Sequence, residues 1–331
     1  MDEFLDKYQK SNNTKSKRTI MTMKQNIQRI EKLIGKDVKD FKISDFKDVN
    51  GIVDKITEKY NLNSAIQTIL GIIKYFDLNN YSNKIIEEYR ELLNELVVER
   101  NEQQNNQDFK NNEGENWIDY EELKEKIEDL VPSYLDKKMA FSKFRNFLII
   151  ALFSLIPPAR ISHYVNMVKK YKKDLKVKPQ SLASRKNYII IDDEKTPNEF
   201  TFVFNTYKTS KTSGKVINKI TNKDLIKLLE MYFNEYNNDK KNPNFLINVN
   251  GKEMSQENIT NSQRSTTKKL LGKSISNNLF RHIFLTYFTE LNPSINEKIR
   301  IGELIGQKYK PTQMEKYRRI KPTPENVILE M

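Results

Sequence analysis

The hydrophobic period of this chain changes twice, and that limits the folds open to it. Up to about residue 180 apolar residues return every three or four positions, the spacing of helices with one buried face. Ile20, Met23, Ile27, Ile30 and Leu33 form one such row, with Ser16 placed to cap it and Gly35 to end it. Further rows run over 52–60, 65–76, 81–100, 120–130 and 139–156, the last ending at Pro157-Pro158. Between 188 and 220 the pattern shortens to strand-like runs, Tyr188–Ile191, Phe200–Phe204 and Val216–Ile220, with 208–214 as the turn between the last two. Helical spacing then returns over 222–236, 256–271, 277–291 and 295–305, followed by a last predicted helix containing Tyr317. The expected class is therefore mainly α with a small antiparallel β-sheet in the second domain (α+β).

A polar tract separates the two helical stretches. Asn101-Glu102-Gln103-Gln104-Asn105-Asn106-Gln107 is followed by Asn111, Asn112 and Gly114, a composition that buries too little apolar surface to order itself. The expected division is a four-helix domain at 1–100, a disordered linker at 101–116 and a second domain at 117–331, with its hairpin near 200–220.

Charge points to the partner. The chain of 331 residues carries a formal +13, and 101–134 hold ten acidic and three basic side chains, so the remainder stands at +20. A surface this basic suits a polyanion, with nucleic acid first, although a basic surface can also be inert. With no cysteine there are no disulfides or thiolate metal sites, and two histidines leave little for a histidine metal centre. No 18-residue apolar run and no signal-peptide core at 1–10 are present, which predicts a soluble, intracellular protein.

Four residues stand out chemically. Arg281 sits inside the apolar run 279–288, where a guanidinium must snorkel to water, pair with a carboxylate, or point at a bound anion. Arg160 follows Pro157-Pro158-Ala159, a rigid turn, in a chain with 12 arginines among its 57 basic residues. Such an arginine is either a salt-bridge partner or a two-pronged oxyanion contact. Lys208 lies at a cationic hairpin tip, 205–214, which is either a solvated turn or a phosphate contact able to donate a proton. Tyr317 lies in Met314-Glu315-Lys316-Tyr317-Arg318-Arg319, where cations favour the phenolate.

In order and local context these residues resemble the active site of the tyrosine recombinases, the DNA integrases and site-specific recombinases related to type IB topoisomerases. Arg160 resembles the first catalytic arginine. Tyr207-Lys208-Thr209 resembles the hairpin lysine in the form seen in integrases of large DNA viruses, virophages and related transposons. Arg281-His282 with Thr286 resembles the second-arginine box, and Leu304-Ile305-Gly306 followed by Tyr317 resembles the Leu-Gly-His box and its nucleophile. Asn278 and Gln307 stand where the family places histidine (or, for the second, tryptophan), and His163 where it places an acid.

The resemblance covers nearly the whole chain. It implies a helical, SAM-like core-binding domain, a catalytic domain, and cleavage of double-stranded DNA through a 3′-phosphotyrosyl link with no metal or cofactor. Tyr317 would attack, Arg160 and Arg281 would bracket the phosphorane, and Lys208 would protonate the leaving oxygen. Asn278 and Gln307 would donate to the non-bridging oxygens, while Lys211, Lys215, Arg318 and Arg319 are further candidate DNA contacts. It also implies a homotetramer on two DNA sites, with Lys321–Met331 as a docking tail through Val327, Ile328 and Leu329, and no membrane or small-molecule partner. A DNA-binding protein without cleavage, a topoisomerase-like enzyme and a helical scaffold that binds no DNA are the alternatives.

Overall fold

The computed structural model describes residues 1–11, 17–81, 84–105, 109, 113–135, 139–182, 185–239, 241–307 and 317–319. Ser16, the tail from Lys321 onward and most of the predicted last helix lie outside these residues. The chain forms two units, Met1–Asn106 and Gln107–Met331.

The first unit contains α1 (Asp2–Lys10), α2 (Lys17–Ile34), α3 (Val49–Lys59), α4 (Leu62–Leu78) and α5 (Lys84–Asn105). It has one helix more than the sequence predicts, because α1 shows only Phe4 and Tyr8 as a buried i, i+4 pair. α5 runs on through 101–105, the first residues of the expected linker. Caps set the starts: Asp48 accepts from the Gly51 N–H at 3.1 Å and Asn61 from the Ser64 N–H at 3.0 Å. α4 is the central helix, burying Ala65, Ile66, Ile69, Ile72, Ile73 and Phe76. At Gly71 it meets α2 so closely that a Cβ would lie 3.1 Å from the Cβ of Asn26.

The second unit is built on α7 (Phe141–Ser154), which follows α6 (Tyr120–Leu135) and is buried almost all round, as a helix at the centre of a core must be. A four-stranded sheet packs on this core, with β1 (Val168–Tyr171), β2 (Tyr188–Ile191), β3 (Phe200–Phe204) and β4 (Val216–Lys219) in that order. β2–β3 and β3–β4 are antiparallel, whereas β1 pairs parallel to β2. The expected purely antiparallel sheet is thus corrected to a mixed one. β1 escapes the sequence pattern because it reads Val-Lys-Lys-Tyr, yet Lys169 is buried: its ammonium donates to Asn237 O at 2.8 Å, Asn237 Oδ1 at 3.0 Å and Asp239 O at 2.8 Å.

Ile189, Ile191, Phe200, Phe202 and Phe204 face the main core, and Val168, Tyr188, Ile190 and Val203 form a smaller cluster on the opposite face with Leu175 and Leu182. The hairpin tip between β3 and β4 winds into a single turn, α8 (Ser210–Ser213). α9 (Lys223–Met231) passes into a π turn at 232–236, followed by α10 (Gln256–Leu271), α11 (Asn277–Glu290) and α12 (Ile295–Leu304). Among the described residues no helix is long and apolar enough to cross a membrane.

Candidate active site

Arg281 belongs to α11, whose start is capped by the Ser276 hydroxyl accepting from the Leu279 N–H at 3.3 Å. Its neighbours Leu279, Phe280, Ile283, Phe284 and Leu285 are buried, and Arg281 itself is 0 % exposed. It neither snorkels nor, among the described residues, pairs with a carboxylate. Nη1 donates to Pro158 O and Ile305 O, each at 2.9 Å, and so joins the Pro-Pro turn to the end of α12. Among the described residues, Nε is buried without a partner. Burial pushes the Arg281 pKa down to about 10, with Tyr317 opposing the shift and Arg160 adding to it, so the group stays charged at neutral pH.

Arg160 leaves the Pro-Pro turn and caps the 3-10 turn Ile161–His163. Its main-chain oxygen accepts from His163 N at 2.9 Å and from His163 Nδ1 at 3.0 Å, while Asn277 Nδ2 fixes the preceding carbonyl, Ala159 O, at 3.1 Å. Arg160 is half-buried, and its Nε is also buried without a partner among the described residues. His163 therefore braces the backbone of Arg160 and not its guanidinium.

Three donors from separate segments meet at Gln307, which is 5 % exposed. The neighbours of its amide turn Oε1 inward, where it accepts from Tyr317 Oη at 2.9 Å and from Arg281 Nη2 and Arg160 Nη2 at 3.2 Å each. The Arg281 guanidinium also lies 5.3 Å from the centroid of the Tyr317 ring. Burial alone would raise the Tyr317 pKa, but the charges of Arg281 and Arg160 and hydrogen bonds from both outweigh it, leaving the phenol below its ordinary value of 10. Tyr317 stands at a turn, not in a helix as predicted, with its carbonyl held by His282 Nδ1 at 2.7 Å.

The hairpin tip is fixed to the same region. The Thr209 hydroxyl donates to Gly306 O, and the Tyr207 ring stacks on His163 at 4.4 Å. Lys208, between them, is exposed and makes no hydrogen bond to the three converging side chains. Asn278 is exposed too: its neighbour Asn277, four residues before Arg281, is the one turned toward the Arg160 turn. Sequence reasoning missed Asn277, although i, i+4 spacing from Arg281 was a signal for it. Lys211 and Lys215 are exposed, with Lys215 Nζ donating to Leu182 O at 3.1 Å. Arg318 is half-buried, and Arg319 is buried with its guanidinium turned to Glu113.

No protein family model matches the chain, and no curated protein matches it. Among solved structures, the crystal structure of XerA recombinase is similar at 12% identity and a TM-score of 0.40, over 99% of this chain and 96% of that chain.

Two predictions follow from the packing here. Gly306 has φ +71°, and a Cβ on it would lie 2.4 Å from His163 Nε2. His163 is wedged between Tyr207 and Phe204 and cannot yield. Gly306→Ala is expected to cost about 3 kcal/mol of unfolding free energy, from left-handed strain plus overpacking, measured by denaturant titration.

The second concerns acid. Burial, then the Arg281 charge, pushes the His163 pKa down to about 3, and burial, then Arg319, pushes His282 down to about 4. Both lie below the ordinary 6.5, so the unfolded chain takes up these protons first on acidification. Stability is complete above about pH 6.5 and falls as pH drops toward 4 and then 3, by up to roughly 1.4 kcal/mol per pH unit for each histidine. Thermal melting between pH 7 and 5 checks this, since the chain has only 2 histidines.

Proposed function

We propose that this protein breaks and rejoins double-stranded DNA in site-specific recombination or integration, with Tyr317 as nucleophile. One observation carries the reading: Arg160, Arg281 and Tyr317 converge on a single oxygen, Gln307 Oε1, at 2.9 to 3.2 Å. That amide oxygen stands in for a non-bridging oxygen of a scissile phosphodiester. Two neighbouring guanidinium groups, each with a buried unpartnered Nε and no carboxylate among the described residues, make a site that calls for an anion.

When DNA binds, the Gln307 amide turns aside and a phosphate oxygen takes its place. Tyr317 Oη, its proton passed to solvent water as the two cations stabilise the phenolate, attacks phosphorus. The bond from phosphorus to O5′ breaks as the new bond to Tyr317 forms. Lys208, on the tip that Thr209 fixes to Gly306, gives a proton to the departing O5′. Arg160 and Arg281 stabilise the added charge on the phosphorane. A 5′-hydroxyl of a second duplex, giving its proton to the now neutral Lys208, then attacks the phosphotyrosyl link, joining the strands and releasing Tyr317 as a phenolate that takes a proton from water. The full cycle uses a tetramer on two DNA sites.

A protein that binds DNA without cutting it is the second reading, favoured by Gln307 filling the anion position and by Asn278 standing exposed outside it. The two are separated by mixing the protein, in EDTA, with nicked duplexes of randomised sequence and looking for a denaturant-resistant protein–DNA adduct. The proposal expects an adduct. Binding that weakens steeply with salt but yields no adduct selects the second reading, and no binding at all overturns both.

A further inference from the structure

Arg319 is 4 % exposed, and its side chain is held from three sides. Nε donates to Glu113 Oε2 at 2.8 Å, Nη1 to Arg318 O at 3.1 Å, and Nη2 approaches His282 Nε2 at 3.1 Å. Its main-chain N–H donates to the Thr286 hydroxyl at 2.9 Å. These contacts settle the state of His282. Nδ1 lies 2.7 Å from Tyr317 O, and a carbonyl only accepts, so Nδ1 carries the proton and the bare Nε2 accepts from Arg319.

We infer that Glu113 is a positioning residue for Tyr317, acting through Arg319 and His282. The inference rests on Tyr317 being the nucleophile. Glu113 supplies the negative charge that keeps a guanidinium buried beside His282. Without it, Arg319 is drawn to water. The imidazole then loses the donor on Nε2 that fixes its tautomer and ring orientation, and Tyr317 loses its hold at the carbonyl. The Thr286 bond, two residues further on, loosens with it. A phenol oxygen that must meet phosphorus in line tolerates little of this, since about 1 Å of misplacement costs on the order of 100-fold in rate.

The test uses Glu113→Gln, of the same shape but neutral, and Glu113→Asp, which keeps the charge. Two readings are taken: the single-turnover rate of adduct formation on the nicked duplexes, alongside DNA affinity, and hydrogen exchange of the Arg319 amide. For Glu113→Gln the expected results are a rate lower by about 10- to 100-fold, unchanged DNA affinity and amide exchange faster by roughly tenfold, with partial recovery in Glu113→Asp. Thr286→Val, which removes the acceptor of that amide and alters no charge, is expected to move both readings the same way, and it serves if Glu113→Gln does not fold. Parent-like exchange in Glu113→Gln overturns the inference, whether or not the rate falls, because Glu113 would then not be acting through Arg319. If the parent protein forms no adduct, the functional reading fails by itself, and the exchange measurement still decides whether Glu113 holds the Tyr317 segment.

Discussion

Tyr317→Phe is expected to abolish the covalent protein–DNA adduct and leave DNA binding intact. The substitution removes one oxygen, the atom 2.9 Å from Gln307 Oε1, and keeps the ring. That ring still packs against His282, 5.0 Å away, and under the Arg281 guanidinium, so the fold changes little. The stability cost is one hydrogen bond, about 1 kcal/mol. Adduct formation, in contrast, has no other group in place, because a phenylalanine offers no nucleophile. Electrophoresis under denaturing conditions reads the adduct, and a filter-binding titration reads the affinity. An adduct that persists in this variant would assign the attack to a different residue.

Arg281→Lys is expected to damage both chemistry and fold. Lysine keeps the charge but brings one nitrogen where arginine spreads three, so it cannot hold two carbonyls and still face the phosphate. Losing a pre-oriented donor at the phosphorane is expected to lower adduct formation by about 100- to 1,000-fold. Pro158 O and Ile305 O, both 2.9 Å from Nη1, also compete for the single ammonium, for a loss of roughly 2 to 4 kcal/mol in stability. Arg160→Lys provides the contrast. Arg160 is half-buried and, among the described residues, its side chain holds no main-chain carbonyl, so a comparable loss of rate is expected with a stability change under about 1 kcal/mol. Melting curves and single-turnover rates on the two variants separate the shared role from the structural one that Arg281 has alone.

The elements legible in the sequence are those whose burial is periodic. In the row from Ile20 to Leu33, Met23, Ile27 and Ile30 are buried and the two ends partly so, and the alternating Phe200, Phe202 and Phe204 are all buried. β1 was illegible because the fold buries Lys169 by giving its ammonium three oxygens from around the π turn, some 70 residues away in sequence. In the candidate site, Arg281 was legible as a charge where charge is costly, and Arg160 as an arginine on a stiff turn. The choice between Asn277 and Asn278 was not, because neighbouring helix positions differ by about 100° and only the packed Ala159 carbonyl shows which one faces inward. Gln307 was expected as a donor. An amide can serve either way, and the three donors around it make it an acceptor. Glu113 lies 206 positions from Arg319 in the expected linker, and no local pattern marks such a pair.

Attack by Tyr317 on a phosphodiester held by Arg160 and Arg281 is the proposed chemical step. Its most direct test is to digest the protein–DNA adduct formed in EDTA with protease and nuclease, and to sequence the nucleotide-bearing peptide by mass spectrometry. A nucleotide joined through its 3′-phosphate to Tyr317 is the expected product. A nucleotide on any other residue, or one attached through its 5′-phosphate, would contradict it.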